Sequence, residues 1–185
     1  MEALGSAIRS PENGVNNKRG ISQALGPRPE GLEIRDGTVF DAFAVSEVLI
    51  ASITHLCGPD HGHDPARMLS WLEGKTPADV RRWIEDGAVL RLALLDGQPA
   101  AAGALAAEDG VIRLLYAAPH AKGRGAGKAL LADLEALLSA QGHSEARLTA
   151  TRTALDFYRA RGWQDAGPPK ACFGIPGYPM RKSLG

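Results

Sequence analysis

Lys122-Gly123-Arg124-Gly125-Ala126-Gly127-Lys128 interleaves glycines with cations just after the apolar stretch Leu114–Ala117 and just before a run with helical period. Glycine lets the main chain approach a ligand closely, and a helix start offers unpaired N–H groups and the positive end of a dipole. Such a junction suits a phosphate. The Walker phosphate loop is excluded because no Gly-Lys-Ser/Thr follows at its spacing. A dinucleotide fingerprint is weak, since the glycine spacing differs and the preceding strand ends a hairpin. What the pattern leaves is a pyrophosphate held by backbone amides without an obligatory metal.

A second group of chemically able residues is Asp60-His61-Gly62-His63-Asp64-Pro65. Histidine titrates near neutral pH, but two histidines two apart in a Gly/Pro loop lack the helical i, i+4 placement of metalloprotease ligands. The stretch reads first as a connector between helices, second as lining for an acceptor site, and last as a metal cluster. Cys57 and Cys172 have no CxxC spacing and read as two reduced thiols.

The elements that must position these groups follow from periodicity. Residues 1–30 are rich in Gly, Asn, Ser and Pro and read as a disordered leader, with at most a marginal helix near Ser22–Leu25. Leu32–Arg35 alternates as a strand. Thr38 or Asp36 caps a helix whose Phe40, Phe43, Ala44, Val48, Leu49 and Ile53 are expected to face inward, stopped by Gly58-Pro59. A helix over Pro65–Trp71 turns Met68, Leu69 and Leu72 inward, and Thr76-Pro77 starts another with Val80, Trp83 and Ile84 on one face. Val89–Leu95, the Asp96-Gly97 turn, Ala100–Ala107 and Val111–Ala117 form antiparallel strands, the middle one small enough for a helix to cross closely. Ala126, Ala129, Leu130, Leu134, Leu137 and Leu138 keep helical period after the glycines; Arg147–Ala150 is a strand. Ala154, Leu155, Phe157 and Tyr158 lie on a helix closed by Gly162, and Tyr178–Arg181 is a last strand.

At 185 residues and 19.5 kDa the whole chain has room for one domain of ordinary size, and residues 31–185 are expected to form it as a single α/β domain. Lys plus Arg and Asp plus Glu both number 21, so no whole-chain field recruits nucleic acid or an anionic membrane. No apolar run is read as approaching the roughly 18 residues of a membrane span, and residues 1–30 lack a secretion signal. The expected protein is cytoplasmic, a monomer or homodimer.

The glycine loop preceded by a strand and Pro119, with Thr153-Ala154-Leu155-Asp156-Phe157-Tyr158-Arg159-Ala160-Arg161-Gly162-Trp163 downstream, resembles the GNAT superfamily of acyl-CoA-dependent N-acyltransferases from about Leu32 to the end. The resemblance implies a mixed, mostly antiparallel sheet of about six to seven strands, splayed at the middle and flanked by about four helices. It implies acetyl-CoA as co-substrate, no metal, and an amine of a small molecule or peptide as acceptor. It places Leu115, Tyr116, Ala117, Lys122, Gly123, Arg124, Gly125, Ala126, Gly127, Lys128, Thr151, Ala154, Phe157 and Tyr158 on the coenzyme. Lys122 stands where the family usually has Arg or Gln, and Thr151 where many relatives carry Asn. Tyr158 is the expected general acid, and Glu108 and His61 are the candidate bases. The rival reading is an acyl-CoA-binding regulatory module of the same fold without turnover.

Overall fold

A computed structural model describes residues 29–185; the expectations for residues 1–28, the leader and its short helix, lie outside them. Eight strands form the sheet: β1 (Leu32–Asp36), β2 (Val89–Leu95), β3 (Gln98–Ala106), β4 (Val111–Ala117), β5 (Glu145–Ala150), β6 (Gln164–Asp165), β7 (Lys170–Cys172) and β8 (Ile175–Ser183). Their order is β1-β2-β3-β4-β5-β8-β6, with β7 paired to β8. The helices are α1 (Ala42–Leu56), α2 (Gly58–His61), α3 (Pro65–Leu72), α4 (Pro77–Glu85), α5 (Ala126–Ala140) and α6 (Leu155–Arg159). The expected mixed, mostly antiparallel sheet is present, lengthened by the short β7.

The strand pairings explain where a site can open. β1 to β4 pair antiparallel in sequence order, and β5 pairs antiparallel with β8. Between these halves β4 and β5 run parallel and share one rung, Val111↔Arg147. Register slips between Ala104↔Leu114 and Leu105↔Ile112, so Arg113 is an extra residue on β4. A bulge bends its strand and ends regular pairing. Beyond it, the C-terminal part of β4 separates from β5, and the sheet splays there.

α5 lies across one face of the first half. Its Leu130, Leu131, Leu134 and Leu138 are buried with Ala93, Ala101, Ile112 and Leu148. The small β3 lets it come close: a β-carbon on Gly103 would sit 2.7 Å from Leu134 Cδ1. Arg91 Nε donates to Asp133 Oδ2 at 2.7 Å and fastens the helix to β2. The other face is covered by α1 and α4, with Val45, Leu49 and Val80 buried against Leu90, Leu92, Ala102 and Ala104.

α1 corrects part of the expected inward face. Thr38 is held by Asp41 and a single 3-10 turn over Val39–Asp41 precedes the helix. That offset turns Phe40 (92% exposed) and Phe43 (64%) outward, while Ala42, Val45, Ser46 and Ser52 join Val48, Leu49 and Ile53 inside. Leu69 on α3 is likewise exposed, and Trp71 takes the buried position. Val39–Leu56 also corrects the membrane reading, being 18 residues of mean hydropathy 1.5, long and apolar enough to span by composition. Here it is a core helix, packed on the sheet along one side.

Candidate active site

The glycine loop leaves β4 through Ala118, whose N–H bonds Ala100 O at 2.8 Å, and a 3-10 turn over Pro119–Ala121. Gly123 (φ +77°) and Gly125 (φ +84°) adopt left-handed backbone that other residues take only at a cost. A β-carbon on Gly125 would in addition lie 2.9 Å from Pro29 Cγ. Lys122 N–H and Arg124 N–H are used within the turn, but those of Gly123 and Gly125 have no backbone acceptor among the described residues. The N–H groups of Ala126, Gly127 and Lys128 open α5 and have no intrahelical acceptor. These donors at a helix start fit an anion. Arg124 turns its guanidinium to Asp96 of the β2–β3 turn, at 2.8 Å. Lys122 and Lys128 are exposed and form no ion pair among the described residues, so they are the free cations at the loop.

Along β4, alternation sends Leu115 and Ala117 toward the α5 core and Leu114 and Tyr116 toward α1. Tyr116 reaches farther, packing with Ile53, Cys57, Trp71 and Ile175, and its hydroxyl accepts a hydrogen bond from Trp71 Nε1 at 3.2 Å. Across the seam, β5 runs into Thr151, a 3-10 turn over Arg152–Ala154, and α6. Thr151 Oγ1 lies 3.2 Å from Thr153 Oγ1, Ala154 is half-buried, and Phe157 is covered by the Arg161 guanidinium, 3.8 Å above its ring.

Tyr158 is 6% exposed. Its ring meets Phe157 and Trp163 edge-on, at 5.1 and 5.8 Å between centroids. Its carbonyl accepts from Arg161 N–H at 2.8 Å and Trp163 N–H at 3.2 Å, and Glu135 of α5 holds Trp163 Nε1 at 2.8 Å and Lys182 Nζ at 2.6 Å. The hydroxyl has no hydrogen-bond partner among the described residues. Burial pushes its pKa well above the ordinary phenol value, as it does for Tyr116. Both phenols therefore stay protonated through the pH range in which a free phenol begins to ionise.

The Asp/His stretch links α1 to α3 as expected, but it is partly helical and buries Asp60 and His61. Gly58–His61 forms α2, Gly62 ends it in a left-handed turn, and Asp64 caps α3 through Ala66 N–H at 2.8 Å. Asp60 is buried and accepts from Thr153 N–H at 3.1 Å and from Thr153 Oγ1. That bond spans the open end of the seam, tying the α2 flank to the turn that starts α6.

The two candidate bases lie in very different surroundings. His61 is 3% exposed, and its Nε2–H donates to Ile53 O at 3.3 Å. Its Nδ1 is buried without a partner and its ring stands edge-on to Trp71. Glu108 lies exposed in the β3–β4 turn, before β4, whereas the glycine loop follows β4. The strand between them places Glu108 at the opposite end, about 20 Å away at ~3.3 Å per residue. Among the described residues no group of three His, Cys, Asp or Glu is placed to hold a metal. Trp71–Tyr116 and Asp60–Thr153 escaped sequence reasoning; the available signal was a Thr-x-Thr pair at a helix start, which asks for an acidic partner.

The sheet is open and mixed, split beside a glycine-rich helix start and faced by a buried tyrosine. A family model described as Acetyltransferase (GNAT) domain matches residues 69–184. The chain belongs to this family of GNAT acetyltransferases. It is similar to a GCN5-related N-acetyltransferase structure from Rhodopseudomonas palustris, at 25% identity and TM-score 0.74 over 85% of this chain and 96% of that one. It shares its fold with the PaiA N-acetyltransferase from Thermoplasma acidophilum in complex with coenzyme A, at 18% identity, TM-score 0.66, over 82% and 98% of the two chains. It does so also with a phosphinothricin acetyltransferase from Sinorhizobium meliloti in complex with acetyl-CoA, at 18%, 0.60, over 84% and 89%. A comparison with curated protein sequences gives no match.

Proposed function

We propose that the protein is an N-acetyltransferase that moves an acetyl group from acetyl-CoA to a primary amine of a small molecule or peptide, by direct attack with both substrates bound. The observation that carries this reading is the parting of β4 from β5, which share a single rung and leave a seam between them. The free N–H groups of Gly123, Gly125 and the first turn of α5 lie at one end, the unpaired edge of β4 in the middle, and Tyr158 across the seam. The coenzyme pyrophosphate suits the loop, with Lys122 and Lys128 supplying charge. The pantetheine arm suits the splay, where main-chain groups of Leu115 and Ala117 can bond it and the thioester carbonyl. An N–H aimed at that oxygen meets the negative charge that develops as the amine attacks.

Tyr158 donates to the departing sulfur. A phenol held protonated by burial does not lose its proton as a thiolate forms unless the proton goes to that thiolate, so its role is hydrogen-bond donor first and acid second. The amine arrives in neutral form, with Tyr116 and Trp71 walling the acceptor side. Isothermal titration with coenzyme A and acetyl-CoA tests the cofactor part, and thiol release over an amine panel tests transfer. Failure to bind coenzyme A overturns the reading; binding without turnover of any amine replaces it with the regulatory acyl-CoA-binding module.

A further inference from the structure

Lys75 precedes the Thr76 cap of α4 and is 7% exposed. Its backbone is fixed from below, its carbonyl accepting from the buried Ser46 hydroxyl at 2.7 Å. Its ammonium has three donors and uses one, to Glu73 O at a long 3.3 Å. Nζ also sits 4.4 Å from the centroid of the Phe173 ring at the tip of the β7–β8 hairpin. No carboxylate lies within ion-pair distance among the described residues. Asp79 is the acidic group in the first turn of α4, and it is engaged with Thr76 and Arg82; Glu85 lies at the far end of the helix. Glu73 and the Cys172 thiol are the other titratable groups near enough to influence Lys75, and burial lowers the lysine's pKa.

A buried ammonium with one weak hydrogen bond is costly unless a counter-charge completes it. A cation–π contact returns only part of that cost. Methionine would fill the same space without the penalty, and the described chain provides no anion at ion-pair distance. The surroundings of Lys75 bear on which anion would complete it. Phe173 and Cys172 adjoin Ile175, which packs with Trp71 and Tyr116 on the acceptor flank. Phe173 is more than half exposed and holds φ +50°, followed by Gly174 at +75°, in a tight tip at the surface.

Resting on the acetyltransferase reading, we infer that Lys75 is the anion anchor of the acceptor subsite. The amine that receives the acetyl group then carries a carboxylate or another small oxyanion, as an amino acid or the end of a peptide does. The lysine holds that anion while the amine faces the seam.

The test uses the full chain saturated with coenzyme A, and probes that do not depend on turnover. N-acetylglycine, N-acetylmethionine and N-acetylphenylalanine are titrated against their neutral methylamides, following binding by calorimetry. At least one carboxylate is expected to bind tenfold or more tightly than its amide, and Lys75→Met to erase the difference while coenzyme A affinity stays within twofold. Equal binding of acids and amides, no binding of any acid, or a preference that survives in Lys75→Met overturns the inference. The comparison in the unsubstituted protein decides even if the variant does not fold. Coenzyme A that fails to bind at all is a separate result and removes the acetyltransferase reading itself.

Discussion

On the α5 flank of the β4/β5 seam, what would meet the coenzyme is main chain, presented by neighbouring residues from Leu114 to Lys128 and open to solvent at the loop. On the opposite flank the corresponding groups are side chains gathered from distant segments, with Trp71, Asp60 and Lys75 buried among them. Trp71 meets Tyr116 across 45 residues, Asp60 meets Thr153 across 93, and Lys75 lies under Phe173. A ligand shared by many enzymes can be held by backbone geometry, which many sequences supply. A particular acceptor needs particular side chains, and the chain must be folded before they meet.

Tyr158→Phe probes the point where the flanks converge and carries the largest expected effect. Removing a proton donor that acts in the rate-limiting step lowers kcat by about 10²- to 10⁴-fold. Coenzyme A affinity should stay near its starting value, because the ring remains packed on Trp163. The pH profile adds a sign. Burial raises the folded-state pKa of Tyr158, so no loss of activity from its ionisation is expected through pH 10, where a free phenol titrates. A rate that falls with a midpoint near 10 in the parent enzyme and not in Tyr158→Phe would place the group in an open, solvated position instead.

Asp60→Ala breaks the bond across the seam. Hydrogen bonds to a buried carboxylate contribute about 1.5–3 kcal/mol, and Thr153 loses its partner for both N–H and hydroxyl. Thermal melting should fall by several degrees, and kcat should fall with it as α6 and Tyr158 loosen. Thr153→Ala should cost less, since the backbone N–H bond survives, and the double variant should be clearly less than additive. Additive losses would mean that Asp60 and Thr153 act separately and that the flanks are not coupled there.

The contrast also explains what was legible in the sequence. The glycine loop, the Asp96-Gly97 turn, the Thr76-Pro77 start and the small residues of β3 are local signals, and each is found where periodicity and turn chemistry put it. The reading of Phe40 and Phe43 failed because helical period assigns a stripe but not its phase. The 3-10 turn at Val39–Asp41 rotates α1 so that Ser46 and Ser52 are buried in their place. Residue type alone points to His61 and Glu108, but that the one is buried and the other lies in the β3–β4 turn is decided only by the tertiary path. Lys75 carried no signal at all, since a lone lysine before a helix cap reads as surface.

Gly127→Leu tests the backbone flank alone. Gly127 is the second residue of α5, and a β-carbon there meets only Ala117 Cβ at 3.9 Å, so the helix accepts a side chain without strain. A leucine would instead occupy the space that the coenzyme needs. The dissociation constant for coenzyme A should rise at least tenfold, about 1.4 kcal/mol, with melting unchanged in the free protein. Gly127→Ala should be nearly silent in both measurements. A leucine variant that binds coenzyme A normally would move the pyrophosphate off this turn.

The smallest effect expected is at Phe40, and its value lies in the contrast with a neighbour on the same segment. Leu49 is fully buried between α1 and the sheet, where removal of a side chain to alanine costs about 2–5 kcal/mol through lost burial and the cavity left behind. Phe40 is 92% exposed, so Phe40→Ser removes almost no apolar surface that folding had taken from water and should change stability by less than ~0.5 kcal/mol. Chemical denaturation of the two variants side by side measures both. A large loss at Phe40 would mean that the ring is covered in solution by something beyond the described chain, and the outer face of α1 would then join the acceptor flank as a surface with a partner.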